Sequence, residues 1–244
     1  MWNALFWGTL AASATMAGAI LAMKVTIPHR IIGFIMALGT GALIGATAYE
    51  LLEGSLEISG FKEVAIGFLG GALTFTVLDY FVSHRGGHQR KEADREKKKT
   101  DSASGMGIFI GSVMDTIPET ALIGMSLIGG ETVSLALVVS VFISNIPEGL
   151  SSTVGLLKSG FSKKKILFMW GIVVIASAFS ALGGATIFAE ASNSIKAIVS
   201  CFAGGAIIAM VASTMMPEAY KEGGPAVGFV TSIGIFIALW LHNL

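Results

Sequence analysis

The chain has 244 residues, 53% of them apolar and only 13% charged, with 16 Lys and Arg set against 16 Asp and Glu. A mean hydropathy of +0.76 and about half the charged fraction of an ordinary soluble domain exclude water as the main solvent. Zero net charge, with the charges gathered in short connectors, excludes nucleic acid as a partner, and a single cysteine, Cys201, excludes both an intrachain disulfide and a cysteine-cluster metal site.

A bilayer core of roughly 30 Å is crossed by about 20 apolar helical residues. Windows of that length recur at 2–23, 31–53, 64–83, 105–127, 132–157, 165–189, 195–216 and 224–243. Backbone groups cannot go unpaired in lipid, so each is expected to be a helix, and the predicted fold is an all-α integral membrane bundle of eight spans. The first begins Met1-Trp2-Asn3-Ala4-Leu5, without the basic n-region of a signal peptide, and its apolar run is too long for an h-region, so it is expected to be a permanent helix. The second ends in Glu50 and Glu53, either wetted at the helix end or helping to attract cations. Gly41 with Gly45, and Gly67 with Gly71, put small residues on one helix face, where they let a neighbouring helix approach.

Residues 1–83 thus hold spans one to three, and 84–104 form a polar cytoplasmic loop with His84, His88 and a mixed-charge run from Arg90 to Lys99. That loop fixes topology as a solvated connector, and its two imidazoles could also catch a metal leaving a pore. Residues 105–157 hold spans four and five, and 158–244 the remaining three. Cys201 lies within the seventh span and reads as a buried packing residue. Asp79, near the end of the third span, could relay ions or pair with Arg85.

Basic residues stay on the cytoplasmic side of a membrane. Alternate connectors place Lys24, Arg30, seven residues from Arg85 to Lys99, four from Lys158 to Lys165, and Lys221 on one side, fourteen in all, against Lys62 and Lys196 on the other. Both termini are therefore expected to face outward from a cell membrane.

Acidic and amide side chains inside membrane helices are costly and mark function by default. The fourth span carries Asp115-Thr116-Ile117-Pro118-Glu119 about ten residues from its start, and at ~1.5 Å per residue that depth is the midplane. The fifth, running the other way, carries Ser144-Asn145-Ile146-Pro147-Glu148-Gly149 at a matching depth. Asp115 and Glu119 share a helix face at i, i+4, as do Ser144 and Glu148. Pro118 and Pro147 donate no hydrogen bond, so the carbonyls of Met114 and Ile143 lose their usual donors and become potential cation ligands. Interrupted helices at the midplane are where transporters place substrate sites. Three carboxylates at one level repel one another unless protons or a cation compensate them. A purely structural role, each acid protonated and holding a kink, accounts well for one buried acid and poorly for three.

With these motifs the sequence resembles the ZIP (Zrt/Irt-like) family of divalent metal transporters, in its prokaryotic type, along the whole chain. The family's fourth span usually reads His-Asn-x-Pro-Glu-Gly and its fifth His (or Gln)-Asn (or Asp)-x-Pro-Glu-Gly. The resemblance implies a metal site, often binuclear, formed here by Asp115, Thr116, Glu119, Ser144, Asn145 and Glu148. Asn145 to Gly149 match in full, whereas Asp115 and Ser144 replace histidines and Thr116 an asparagine. The ending Met215-Met216-Pro217-Glu218 is similar to a Pro-Glu ending in relatives.

The resemblance further implies a divalent metal as transported substrate, no bound cofactor, no enzyme activity, alternating access or elevator motion, and compatibility with a homodimer in the lipid bilayer. An all-oxygen shell favours Mn²⁺ or Fe²⁺ over softer ions, while Zn²⁺ still binds carboxylates. Two other readings stand beside it. One is a metal sensor or transport-inactive relative, suggested by the lost histidines. The other is an intramembrane aspartyl protease, which would need Asp79 and Asp115 at one level.

Overall fold

Apolar side chains offer the backbone no hydrogen-bond partners, so a long apolar run satisfies its own amides by coiling. The computed structural model describes residues 1–25, 27–84, 102–128 and 132–244. Its helices are α1 (Trp2–Lys24), α2 (His29–Ala46), α3 (Gly54–Ile58), α4 (Phe61–His84), α5 (Ser102–Met125), α6 (Leu135–Lys158), α7 (Lys163–Ile187), α8 (Asn193–Met210), α9 (Met216–Gly223) and α10 (Val227–His242). Short π-helical segments, Thr47–Glu53 and Val211–Met215, join α2 to α3 and α8 to α9. The polar connector with His88, the Arg85 proposed to pair with Asp79, and the side chain of His84 lie outside the described residues.

Six stretches among the described residues are long and apolar enough to cross a membrane. Five coincide with the expected spans one, two, three, five and six. The last, Asn193–His242, takes in the expected spans seven and eight as one stretch of 50 residues, about 75 Å if fully helical and more than twice a bilayer core. It is interrupted at Gly224, whose φ of +70° ends α9, and α10 then lies along α2. The expected fourth span, α5, is not among the six, and its first residues have side chains outside the described set.

Serine and threonine within the helices spend their protons locally, as Thr74 does on the Gly70 carbonyl at 2.8 Å. Three helices start on serine caps: Ser134, Ser162 and Ser192 each accept the amide hydrogen bond of the residue three positions on.

The bundle closes through glycines that admit a facing backbone. A Cβ on Gly18 of α1 would overlap the Ile146 carbonyl of α6, and one on Gly149 of α6 would overlap the Thr15 carbonyl of α1. Gly124 and Gly184 make the same reciprocal contact between α5 and α7, Gly41 and Gly234 between α2 and α10, and Gly71 and Gly205 between α4 and α8. The small-residue faces read from the sequence thus serve packing, as expected.

The packing repeats itself. Exchanging α1 with α7, α2 with α8, α4 with α10 and α5 with α6 turns the α1–α6 contact into α7–α5, and the α2–α10 contact into α8–α4. The two π-helical segments follow α2 and α8, at matching places. α5 and α6 pack on each other at the centre of this scheme.

Candidate functional site

α5 and α6 continue as helices through Pro118 and Pro147. Thr116 and Asn145 are fully buried, Glu119 and Ser144 nearly so, and Asp115 and Glu148 are half-buried. The Glu119 carboxyl interacts electrostatically first with Glu148 across the helix pair and then with Asp115 one turn before it. Of the three acids proposed from sequence, Glu119 is therefore within reach of the charge of the other two. The three are not a ready cage: among the described residues no three or more His, Cys, Asp or Glu side chains are gathered to hold a metal ion by themselves. Coulombic coupling in a poorly screened interior reaches farther than a coordination bond, so the two observations agree.

The neutral groups have defined partners. Asn145 donates from Nδ2 to the Ala11 carbonyl of α1 at 3.3 Å, which fixes the amide and leaves its oxygen as the remaining polar end. That Oδ1, and Oε2 of Glu119, are buried acceptors without a hydrogen-bond donor from the described residues. Buried acceptors normally find partners, and two without one beside a carboxylate cluster invite a cation, a proton or water. Ser144 donates its hydroxyl proton to the Val141 carbonyl at 3.0 Å, and Thr116 to the Ser112 carbonyl at 2.9 Å. With their protons spent on the helix, these oxygens retain only acceptor capacity.

The surroundings differ along the helix axis, although an apolar cluster that includes Leu156, Met169 and Trp170 packs at the Lys158 end as well. Toward Leu127 and Val133 the site is backed by an apolar cluster that includes Leu122, Ile123, Leu137, Val141, Leu43 and Met210. Toward Lys158 the α5–α6 contact turns polar. Ser112 and Ser152 share a buried hydrogen bond of 2.8 Å, and Trp170 donates to Thr153 at 2.9 Å. Ser151, one turn past Glu148, donates to the Glu218 carboxylate of α9 at 3.0 Å.

Sequence reasoning placed Glu218 in a less specific motif and left it out of the site. The available signal was repetition: three of the five prolines, Pro118, Pro147 and Pro217, are each followed by glutamate. Only the fold shows that the third of these glutamates comes to the helix carrying the second.

Glu50 is neither simply wetted nor alone. Its carboxylate lies 2.9 Å from Nδ1 of His242 at the end of α10, and Tyr49 stacks on that imidazole. Cys201 is fully buried, as expected, with its thiol on the Leu51 carbonyl at 3.6 Å. Asp79 and Asp115 stand on helices with different neighbours: α4 lies along α8, and α5 along α7 and α6.

Fold and site together define a multi-pass membrane protein with a buried glutamate, Glu119, and two half-buried acids on two central helices. Over 218 residues the chain is 27% identical to a curated protein of Arabidopsis thaliana named "Putative zinc transporter", the match taking in 88% of this chain and 34% of that protein. The chain thus spans about a third of the length of the curated relative it matches. No protein-family model matches it.

Proposed function

We infer that the protein carries a divalent metal ion across a membrane through the site between α5 and α6. The observation that carries this reading is the pair of buried acceptors, Glu119 Oε2 and Asn145 Oδ1, without donors among the described residues, close to the charges of Glu148 and Asp115. A divalent cation supplies the positive charge that such a cluster lacks. In this reading Asp115, Glu119 and Glu148 provide charge, and Thr116, Ser144 and Asn145 provide neutral oxygen. The relative named a zinc transporter and the resemblance to the ZIP family support the same class of substrate.

The reading also takes the chain as eight spans, the 50-residue stretch Asn193–His242 being two of them. It places the lysine-rich connectors in the cytoplasm and both termini outside. With the apolar cluster sealing the Leu127 side and polar groups leading from Ser151 to Glu218 on the other, the arrangement suits the inward-facing half of an alternating-access cycle. Glu218 is then the first group the ion meets after leaving Glu148.

The test is uptake of Zn²⁺, Mn²⁺, Fe²⁺, Cd²⁺ and Mg²⁺ into liposomes holding the purified chain. Uptake of Mn²⁺ or Fe²⁺ ahead of Zn²⁺ and Cd²⁺ is expected from an all-oxygen shell. The double substitution Asp115→His with Ser144→His should shift that preference toward Zn²⁺ by roughly tenfold, since imidazole suits the softer ion. An unchanged metal order in the double variant would remove these two positions from the shell. Metal binding without uptake by the native chain would identify a sensor, the reading that the absence of imidazole from the site favours.

Ser151 and Glu218 give a separate expectation. Glu218→Gln removes a charge beyond the site and should slow turnover while leaving the affinity for external metal nearly unchanged. Parallel losses in both quantities, read from the concentration dependence of uptake, would instead make Glu218 part of the binding shell.

A further inference from the structure

α7 begins with a charge pattern that its own helix opposes. Lys163, Lys164 and Lys165 occupy its first turn, which contains no acidic residue. The N-terminus of a helix carries partial positive charge, so three lysines there are destabilising unless an anion answers them. Lys24 ends α1 beside this turn, because Lys163 donates from Nζ to the carbonyl of Met23 at 3.3 Å. Lys165 lies over the Phe161 ring, 4.6 Å from its centroid. No described acidic side chain pairs with Lys24, Lys163, Lys164 or Lys165. The ends of α1 and α7 thus form a cationic notch.

What lies along the helix from that notch selects its occupant. At helical spacing from Lys164 follow Phe168, Ile172, Ile175 and Phe179, between 49% and 69% exposed, a single apolar face. The opposite face, with Ile166, Met169, Trp170 and Val173, is buried in the bundle. A free phosphate would use the lysines alone, whereas the stripe, like the exposed apolar faces of the other spans, meets acyl chains in a bilayer. A phospholipid uses both, its phosphate among the lysines and an acyl chain along the stripe.

We propose that the ends of α1 and α7 hold the headgroup of an anionic phospholipid, clamped by Lys163, Lys164 and Lys165 beside Lys24, with an acyl chain laid along Phe168, Ile172, Ile175 and Phe179. Charge complementarity fixes the class as anionic, because a zwitterionic headgroup adds a cation to a site already rich in them. The bound lipid neutralises the first turn of α7 and joins it to α1, the helix whose Ala11 carbonyl holds Asn145. Lipid class should therefore act on the stability of the bundle near its centre.

The test is native mass spectrometry and thermal unfolding of the full chain in detergent, with dioleoylphosphatidylglycerol, dioleoylphosphatidylcholine or inorganic phosphate added. Phosphatidylglycerol should bind and raise the unfolding midpoint, and phosphatidylcholine should do neither. Lys164, which is exposed and makes no hydrogen bond, ion pair or ring contact among the described residues, tests the site without threatening the fold. Lys164→Gln should weaken phosphatidylglycerol binding about fivefold, as expected for one lysine near an anionic surface, and the triple Lys163→Gln, Lys164→Gln, Lys165→Gln variant correspondingly more. Lys62→Gln, at the start of α4, should have no effect. Equal binding of the two lipids, or undiminished binding by Lys164→Gln, would overturn the proposal. So would displacement of phosphatidylglycerol by phosphate, which would mark a site for a free anion.

Discussion

Replacing Glu148 by Ala is expected to abolish metal uptake while the protein still folds. Glu148 supplies charge at the level of Glu119 and couples to it across the two central helices. Even the outer partners of metal ligands are commonly worth 10- to 100-fold in affinity or activity, so loss of a charged ligand should cost about a hundredfold or more. Folding should survive for a related reason: three acids crowd one poorly screened site, and removing one relieves repulsion in the metal-free protein. Glu119→Gln should act in the same direction, keeping the shape of the side chain while deleting its charge. The measurement is liposome uptake paired with a thermal-unfolding midpoint for each variant. A midpoint equal to or above that of the parent, with uptake gone, is the expected pair of results. Uptake at the parental rate by either variant would refute the assignment of its glutamate to the transport path.

Gly149→Val should have the opposite profile, losing the fold itself. The Gly149 position faces the Thr15 backbone so closely that even a single Cβ overlaps its carbonyl, and Gly18 meets Ile146 and Leu150 in the same way. Helices in lipid gain little from burying apolar area against each other, because lipid is as apolar as their side chains, so close contact is what holds α1 on α6. Separating them would also draw the Ala11 carbonyl from Asn145 and leave a buried amide without its acceptor, a cost of about 1–3 kcal/mol by itself. Overpacking adds about 1–3 kcal/mol more. Together these approach much of the stability of a typical domain, and the variant should yield little monodisperse protein on size-exclusion chromatography in detergent. Gly228→Val is the matching control, since a Cβ there meets nothing within 4 Å. A monodisperse Gly149→Val protein with parental stability would show that the α1–α6 contact is not the one that holds the bundle.

The sequence made the helices legible because a membrane imposes a local rule. Every backbone amide in lipid must be satisfied within its own segment, so apolar length alone announces a helix. Asp115, Glu119 and Glu148 were legible for the converse reason: a carboxylate inside such a segment is costly and draws attention wherever it stands. The glycine faces at Gly41 and Gly67 belong to the same local grammar. Span counting blurred where that grammar weakens. Between α8 and α10 the helical path continues through Val211–Met215, Met216–Gly223 and a turn at Gly224, with no long polar connector to separate two spans.

Pairing between distant segments was not written in any local pattern. Nothing near Glu50 announces His242, and nothing near Ser151 announces Glu218, because each partner arrives from far along the chain. The apolar seal on one side of the site and the polar groups on the other likewise depend on which faces of α2, α5, α6 and α8 meet. By itself, then, the sequence determined that the chain lives in lipid, where its helices run, and which buried acids must be compensated, since solvation and hydrogen bonding along one segment decide all three. Only the tertiary structure decided that Asn145 is held by α1, that a third Pro-Glu glutamate comes to the helix carrying the second, and that an apolar cluster backs the site toward Leu127 and Val133. Those facts follow from glycine-mediated backbone contacts between helices far apart in sequence.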